Sequence, residues 1–213
     1  MEYPACVKAV IITGGAAPAP DAAVRWLEGA SLVIAADSGA ETARAYGVEP
    51  HLVVGDFDSL PETTLAQYPP DRIRRYPAAK DHTDTEIALR IAREEGADDL
   101  VLVGGGGGRL DHLIAIVALF ERRDPPSVWV SQHAVAFAVV HETVQRGRPG
   151  ELISFLPLGC VPCRMSSSGL RWPLDGLVWG RGDVGISNEF VDSEVRVSMR
   201  SGRLLGIRGV GSG

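Results

Sequence analysis

With 213 residues, 27 acidic against 21 basic side chains and a formal charge of −6, the chain is long enough to bury one large core or two modest ones. The two signs are interspersed, which argues against a surface that grips a nucleic-acid backbone by charge alone; an acidic chain that binds phosphates needs a divalent cation as a bridge. The apolar run Ala9-Val10-Ile11-Ile12 is too short for a leader or a membrane span, and Glu2 stands where a secretory leader is basic, so a cytoplasmic protein with no membrane partner is expected.

Residues 7–141 alternate between short apolar runs and helical patterns, which predicts a mostly parallel sheet with helices on its faces. Strands are expected at 7–13, 32–36, 52–54, 72–76, 100–103 and 128–131, and helices at 21–28, 41–46, 62–67, 83–95 and 110–123. Each strand leads into something polar or glycine-rich: Thr13-Gly14-Gly15, Asp37-Ser38-Gly39, Gly55-Asp56, Lys80-Asp81 and Gly104 to Gly108. In open α/β sheets ligands bind beyond the carboxyl ends of the strands, so these segments form one expected rim. After about Glu142 the runs become short and β-like, at 152–156, 169–174, 185–188, 195–199 and 203–208. The expected fold is α/β: a Rossmann-like domain over 1–142 followed by an all-β sandwich over 143–213.

The acidic stretch Gly55-Asp56-Phe57-Asp58-Ser59 carries the most chemistry. In an extended segment alternate side chains share a face, so Asp56 and Asp58 would aim two carboxylates at one point while Phe57 turns inward. The bland alternative is an Asx turn ahead of the helix near Pro61. Thr83-x-x-Glu86 has the form of a capping box, which starts a helix at Thr83 and gathers Asp81 and Asp84 about its first turn, where the helix dipole alone would also favour them. Asp37, at a strand end, reads either as a helix cap or as a site residue.

Gly104 to Gly108 is neither a Walker A loop, since no Lys-Ser or Lys-Thr follows, nor a GxGxxG turn, since Arg109, Leu110 and Asp111 occupy the required glycine positions. Its backbone amides would still approach phosphate oxygens at a helix start, with Arg109 offering a forked contact; a tight strand-to-helix turn is the alternative. Cys6, Cys160 and Cys163 make no disulfide framework, and Cys160-Val161-Pro162-Cys163 is a lone CxxC, read as two thiols in a small β domain. Trp172 is either core or a ligand platform.

Taken together, Asp37-Ser38-Gly39-Ala40, Gly55-Asp56-Phe57-Asp58-Ser59, Asp81-x-Thr83-Asp84-x-Glu86, Gly107-Gly108-Arg109-Leu110-Asp111-His112, Gly169-Leu170-Arg171-Trp172-Pro173-Leu174 and Ser187-Asn188 resemble the thiamine pyrophosphokinase family, over nearly the whole chain. The resemblance implies pyrophosphoryl transfer from ATP to thiamine by a homodimer with active sites between subunits. It implies that Asp56, Asp58 and Asp84 are catalytic and hold Mg2+. It further implies that Asp37, Ser38, Lys80, Gly107, Gly108, Arg109 and Asp111 line the nucleotide pocket, and that Trp172, Ser187 and Asn188 approach thiamine. Ser38 stands where the family usually has Gly, and Glu41 where it usually has Asn. A pyrophosphokinase acting on a pterin alcohol, and a non-catalytic nucleotide or thiamine diphosphate sensor, are the alternatives.

Overall fold

The computed structural model describes residues 6–210 apart from Ser59 and Lys80, and the chain divides into two compact units. The first holds the described residues through Leu119 together with Pro126–Gln132; the second holds Phe120–Pro125 and the residues from His133 onward.

The first unit contains β1 (Lys8–Thr13), α1 (Pro20–Leu27), β2 (Leu32–Ala36), α2 (Gly39–Ala45), β3 (Leu52–Gly55), α3 (Glu62–Leu65), β4 (Ile73–Arg75), α4 (Asp84–Glu94), β5 (Asp99–Val103), α5 (Leu110–Leu119) and β6 (Val128–Val130). Its strands pair in parallel in the order β6-β5-β1-β2-β3-β4. The central strand is apolar on both faces, with Ala9 to Ile12 wholly buried, as a strand covered from both sides must be. The chain lays β2, β3 and β4 outward on one side of β1, then returns after α4 to place β5 on the other. The loops after β1 and β5 therefore flank the topological switch point of this sheet.

α4 shows how the sequence places a functional end. Thr83 Oγ1 accepts the Glu86 N–H at 3.2 Å, and the Glu86 carboxylate accepts the Thr83 N–H at 2.7 Å, completing the capping box. Ile87, Ala88, Leu89, Ile91 and Ala92 are buried, and the helix packs on β1 and β2. α5 is shorter than expected: it ends at Leu119, and residues 120–123 form turns before Pro125-Pro126.

The second unit is built from β7 (Ala134–Val139), β8 (Glu142–Arg146), β9 (Leu152–Leu158), β10 (Cys163–Ser168), β11 (Val178–Trp179), β12 (Gly185–Glu189), β13 (Glu194–Ser201) and β14 (Arg203–Gly209). These strands pair antiparallel as β12-β9-β14-β7 and as β11-β10-β13-β8. The expected strand at 169–174 is absent. Gly169 adopts φ 77° where a Cβ would meet the Glu194 carbonyl at 2.1 Å, Pro173 lacks an N–H, and only Leu170 forms an isolated bridge, to Phe190. The strand runs just before it, as β10. The three cysteines are free, and the Cys163 thiol is buried at the start of β10, 3.1 Å from the Arg203 carbonyl.

Candidate active site

Three carboxylates, Asp37, Asp56 and Asp58, each present an oxygen within 4.8 Å of the other two. The strand register produces this meeting. Ala36 pairs with Val54, so Asp37 and Asp56 emerge side by side beyond β2 and β3, and the Asp37 N–H donates to the Val54 carbonyl at 2.8 Å. Gly55 is needed there, because its φ is 158° and a Cβ would stand 3.3 Å from Asp37 Cα.

Asp56 and Asp58 converge for a different reason from the expected one. The segment is not extended: Phe57 has φ 63°, and the Asp58 N–H donates to Asp56 Oδ1 at 3.2 Å in an Asx turn. Phe57 does turn inward, packing with Ala35, Ala40, Val53 and Leu60. The Arg75 guanidinium lies 4.9 Å from the Phe57 ring centroid and donates to the Asp56 carbonyl at 2.8 Å, so β4 braces the turn. Asp37 is likewise left-handed, with φ 48°. A side-chain-bearing residue in that region costs roughly 1–3 kcal/mol, and packing and hydrogen bonds hold both residues in it.

Asp37, expected to line the nucleotide pocket, thus stands with Asp56 and Asp58, whereas Asp84, expected with those two, is not one of the three. Asp84 opens α4, and its neighbour Thr85 bonds the hydroxyl of Thr13 at the end of β1 at 2.8 Å, which ties this helix start to the rim. Asp81 is exposed and outside the cluster. Lys80 lies outside the described residues.

The five glycines divide by role. Gly105 N–H donates to the Gly14 carbonyl at 2.8 Å, and Gly106 and Ala16 exchange both backbone bonds, at 3.0 and 2.7 Å. Those amides hold the two loops of the switch point together. A Cβ would meet Thr13 O at 2.3 Å from Gly104, Ile116 Cδ1 at 2.3 Å from Gly105 and Ala16 O at 2.6 Å from Gly106, so the fold alone demands these three. Gly108 has nothing within 4 Å of a Cβ and no positive φ, so the fold does not account for it. Arg109 reaches Asp111 through two bonds, at 3.2 and 2.5 Å, and this pairing holds the Asp111 carboxyl down at about 2. Ser38 precedes α2, with its hydroxyl filling space beside Gly14.

In the second unit Trp172 is 53% exposed, so it is not core. Its backbone N–H donates to Asn188 Oδ1 at 3.2 Å and its carbonyl accepts from Asn188 Nδ2 at 2.7 Å. Ser187, with φ 58°, sits in a register shift of β12 between Gly185 and Asn188. A bulge of this kind re-aims side chains, and here Ser187 is exposed while Asn188 is buried.

The thiamin pyrophosphokinase catalytic-domain family model matches residues 23–129, and the thiamin pyrophosphokinase vitamin B1 binding-domain model matches residues 141–204. The chain belongs to the thiamin pyrophosphokinase family. It is 27% identical to the thiamine pyrophosphokinase of Bacillus subtilis (strain 168) over 186 residues, covering 84% of this chain and 87% of that protein. The crystal structure of thiamine pyrophosphokinase from Bacillus subtilis superposes with a TM-score of 0.82 at 25% identity, covering 96% of this chain and 99% of that one. That of thiamin pyrophosphokinase from Geobacillus thermodenitrificans superposes with a TM-score of 0.76 at 30% identity, covering 95% and 97%. The carboxylate cluster lies within the segment matched by the thiamin pyrophosphokinase catalytic domain; Trp172, Ser187 and Asn188 lie within the B1-binding segment.

Arg75 and Thr85 escaped the sequence reading, which placed Thr13 on the expected rim only as a strand end. Of these only Thr85 carried a signal, as the hydroxyl beside Asp84 in a helix start that must dock somewhere.

Proposed function

We propose that the chain transfers a pyrophosphoryl group from ATP to thiamine, giving thiamine diphosphate and AMP. The observation that carries this reading is the meeting of Asp37, Asp56 and Asp58 at the strand ends of a thiamin pyrophosphokinase family member. Three hard carboxylate donors in so small a space suit Mg2+, which takes oxygen ligands and prefers a few carboxylates with substrate phosphates completing the octahedron. Asp56, Asp58 and Asp37 would hold it; Asp84, at the start of α4 and outside that group of three, is the further carboxylate assigned to the metal. Bound there, Mg2+ supplies charge neutralisation for the triphosphate.

The protein's own part is alignment. Ser38, Gly107 and Gly108 let the nucleotide approach the rim, while Lys80 and Arg109 hold phosphate oxygens, Arg109 exchanging its internal partner Asp111 for the ligand. The thiamine alcohol attacks the β-phosphorus in line: its oxygen bonds to that phosphorus as the bond to the bridging α–β oxygen breaks, its proton passes to a carboxylate of the Asp cluster, and AMP leaves with the electron pair. No covalent intermediate with the protein is required. Trp172 gives the acceptor ring a stacking surface, and Ser187 offers it a hydroxyl.

The expected fold detail, a Rossmann-like catalytic domain over 1–142 and a thiamine-binding sandwich over 143–213, belongs to the same reading. So does a cytoplasmic homodimer with sites at the subunit interface. Leu110 and Ile114, one turn apart on α5 and 68% and 60% exposed, support a second copy covering that face. Among the described residues no helix is long and apolar enough to cross a membrane.

The test is incubation of the purified protein with Mg2+, ATP and thiamine, with products separated. AMP and thiamine diphosphate are the expected products. ADP instead, AMP only with a pterin alcohol, or no nucleotide consumption would each overturn the proposal.

A further inference from the structure

We infer that Asn188 and the Arg171–Glu189 ion pair are positioning residues that hold Trp172 ready for the acceptor ring, an inference that rests on the reading of Trp172 as thiamine-facing. An exposed tryptophan free to sample rotamers would have to be ordered on binding, at a cost in affinity; a platform fixed beforehand avoids it. Trp172 is fixed from two sides. The Asn188 side chain, only 6% exposed, spends its amide on main chain: Oδ1 accepts from the N–H groups of Trp172 and Glu189, at 3.2 and 2.9 Å, and Nδ2 donates to the Trp172 carbonyl at 2.7 Å. Asn188, expected to touch thiamine, therefore acts through Trp172 instead.

The ring itself lies under the Arg171 guanidinium, 5.2 Å from its centroid. That guanidinium is pinned by Glu189, Nη1 to Oε2 at 2.7 Å, and the Arg171 N–H donates to the Glu189 carbonyl at 2.9 Å. Two consecutive residues of β12 thus hold two consecutive residues of the 169–177 loop. Glu189 has a second effect. Thiamine is a cation, and a guanidinium stacked on its platform would oppose it unless a carboxylate balanced the charge.

Steady-state kinetics on the full chain tests this. Glu189→Gln frees and unmasks Arg171; the expected result is a thiamine KM raised about 2- to 5-fold, with kcat and the ATP KM unchanged and the penalty shrinking as salt rises. Arg171→Met removes the stacked cation, and its smaller penalty should not respond to salt. The double variant Arg171→Met, Glu189→Gln should behave like Arg171→Met. In a Trp172→Ala background Glu189→Gln should cost less than in the parent, because only the charge effect remains. A Trp172→Ala defect in thiamine saturation with Glu189→Gln silent, or with the two effects fully additive, overturns the clamp alone. Unchanged thiamine saturation in Trp172→Ala overturns the platform reading and the inference with it.

Discussion

Asp56 belongs both to the Asx turn and to the carboxylate cluster, and a single substitution separates the two. Asn retains the Oδ1 that accepts the Asp58 N–H, so Asp56→Asn should keep the turn and the fold while removing a charge from the cluster. Turnover should fall by at least about 100-fold, the upper end of what residues merely supporting a metal ligand cost, with the melting temperature unchanged. Near-normal turnover at saturating Mg2+ would rule Asp56 out as a ligand. Arg109 and Asp111 make a prediction in pH. The Asp111 carboxyl is depressed from 3.8 to about 2 by Arg109, so the pair is intact above the ordinary value and is lost only as pH falls through about 2. Arg109→Gln should return that titration toward 3.8, followed by carboxyl NMR, and should weaken ATP saturation. Both side chains are exposed, so no measurable loss of stability is expected.

At the scale of elements, the capping box that starts α4 and the glycine run before α5 separate what the fold requires from what it leaves unexplained. Thr83→Ala removes the acceptor for the Glu86 N–H and should cost about 1 kcal/mol in a denaturant titration. Gly105→Ala drives a methyl into Ile116 in a left-handed residue and should cost about 1–3 kcal/mol. Gly108→Ala meets only open space, so its stability should stay within about 0.5 kcal/mol of the parent while the ATP KM rises. A silent Gly108→Ala would remove that glycine from the nucleotide pocket. The apolar runs of β1, β2, β3, β5 and β6 and the box at Thr83 were legible because each depends on neighbours in sequence. The Asp37 carboxylate beside Asp56 was not, since it depends on the Ala36–Val54 register across two strands. An Asx turn at Asp56 is compatible with the sequence, but periodicity cannot show that Phe57 leaves the extended region.

For the molecule as a whole, the two family segments predict a division of labour. Trp172→Ala should weaken thiamine saturation and leave ATP saturation unchanged, whereas equal losses for both substrates would mean general damage. The β-rich half was harder to read than the α/β half, because its burial pattern is irregular. Cys163–Ser168 alternates for only three residues before turning polar, so β10 was missed, while Leu170, Trp172 and Leu174 alternate convincingly in a segment that forms no strand. What distinguishes that loop is pairing with β12, which only the folded chain reveals.

The left-handed backbone at Asp37 and Ser187 carries a cost for anyone improving this enzyme. Glycine at either position would relax the chain and raise its heat resistance, so a screen rewarding survival at high temperature alone would drift there. The variants it returned would be hardier, having given up a carboxylate of the cluster at one site and an exposed hydroxyl on β12 at the other.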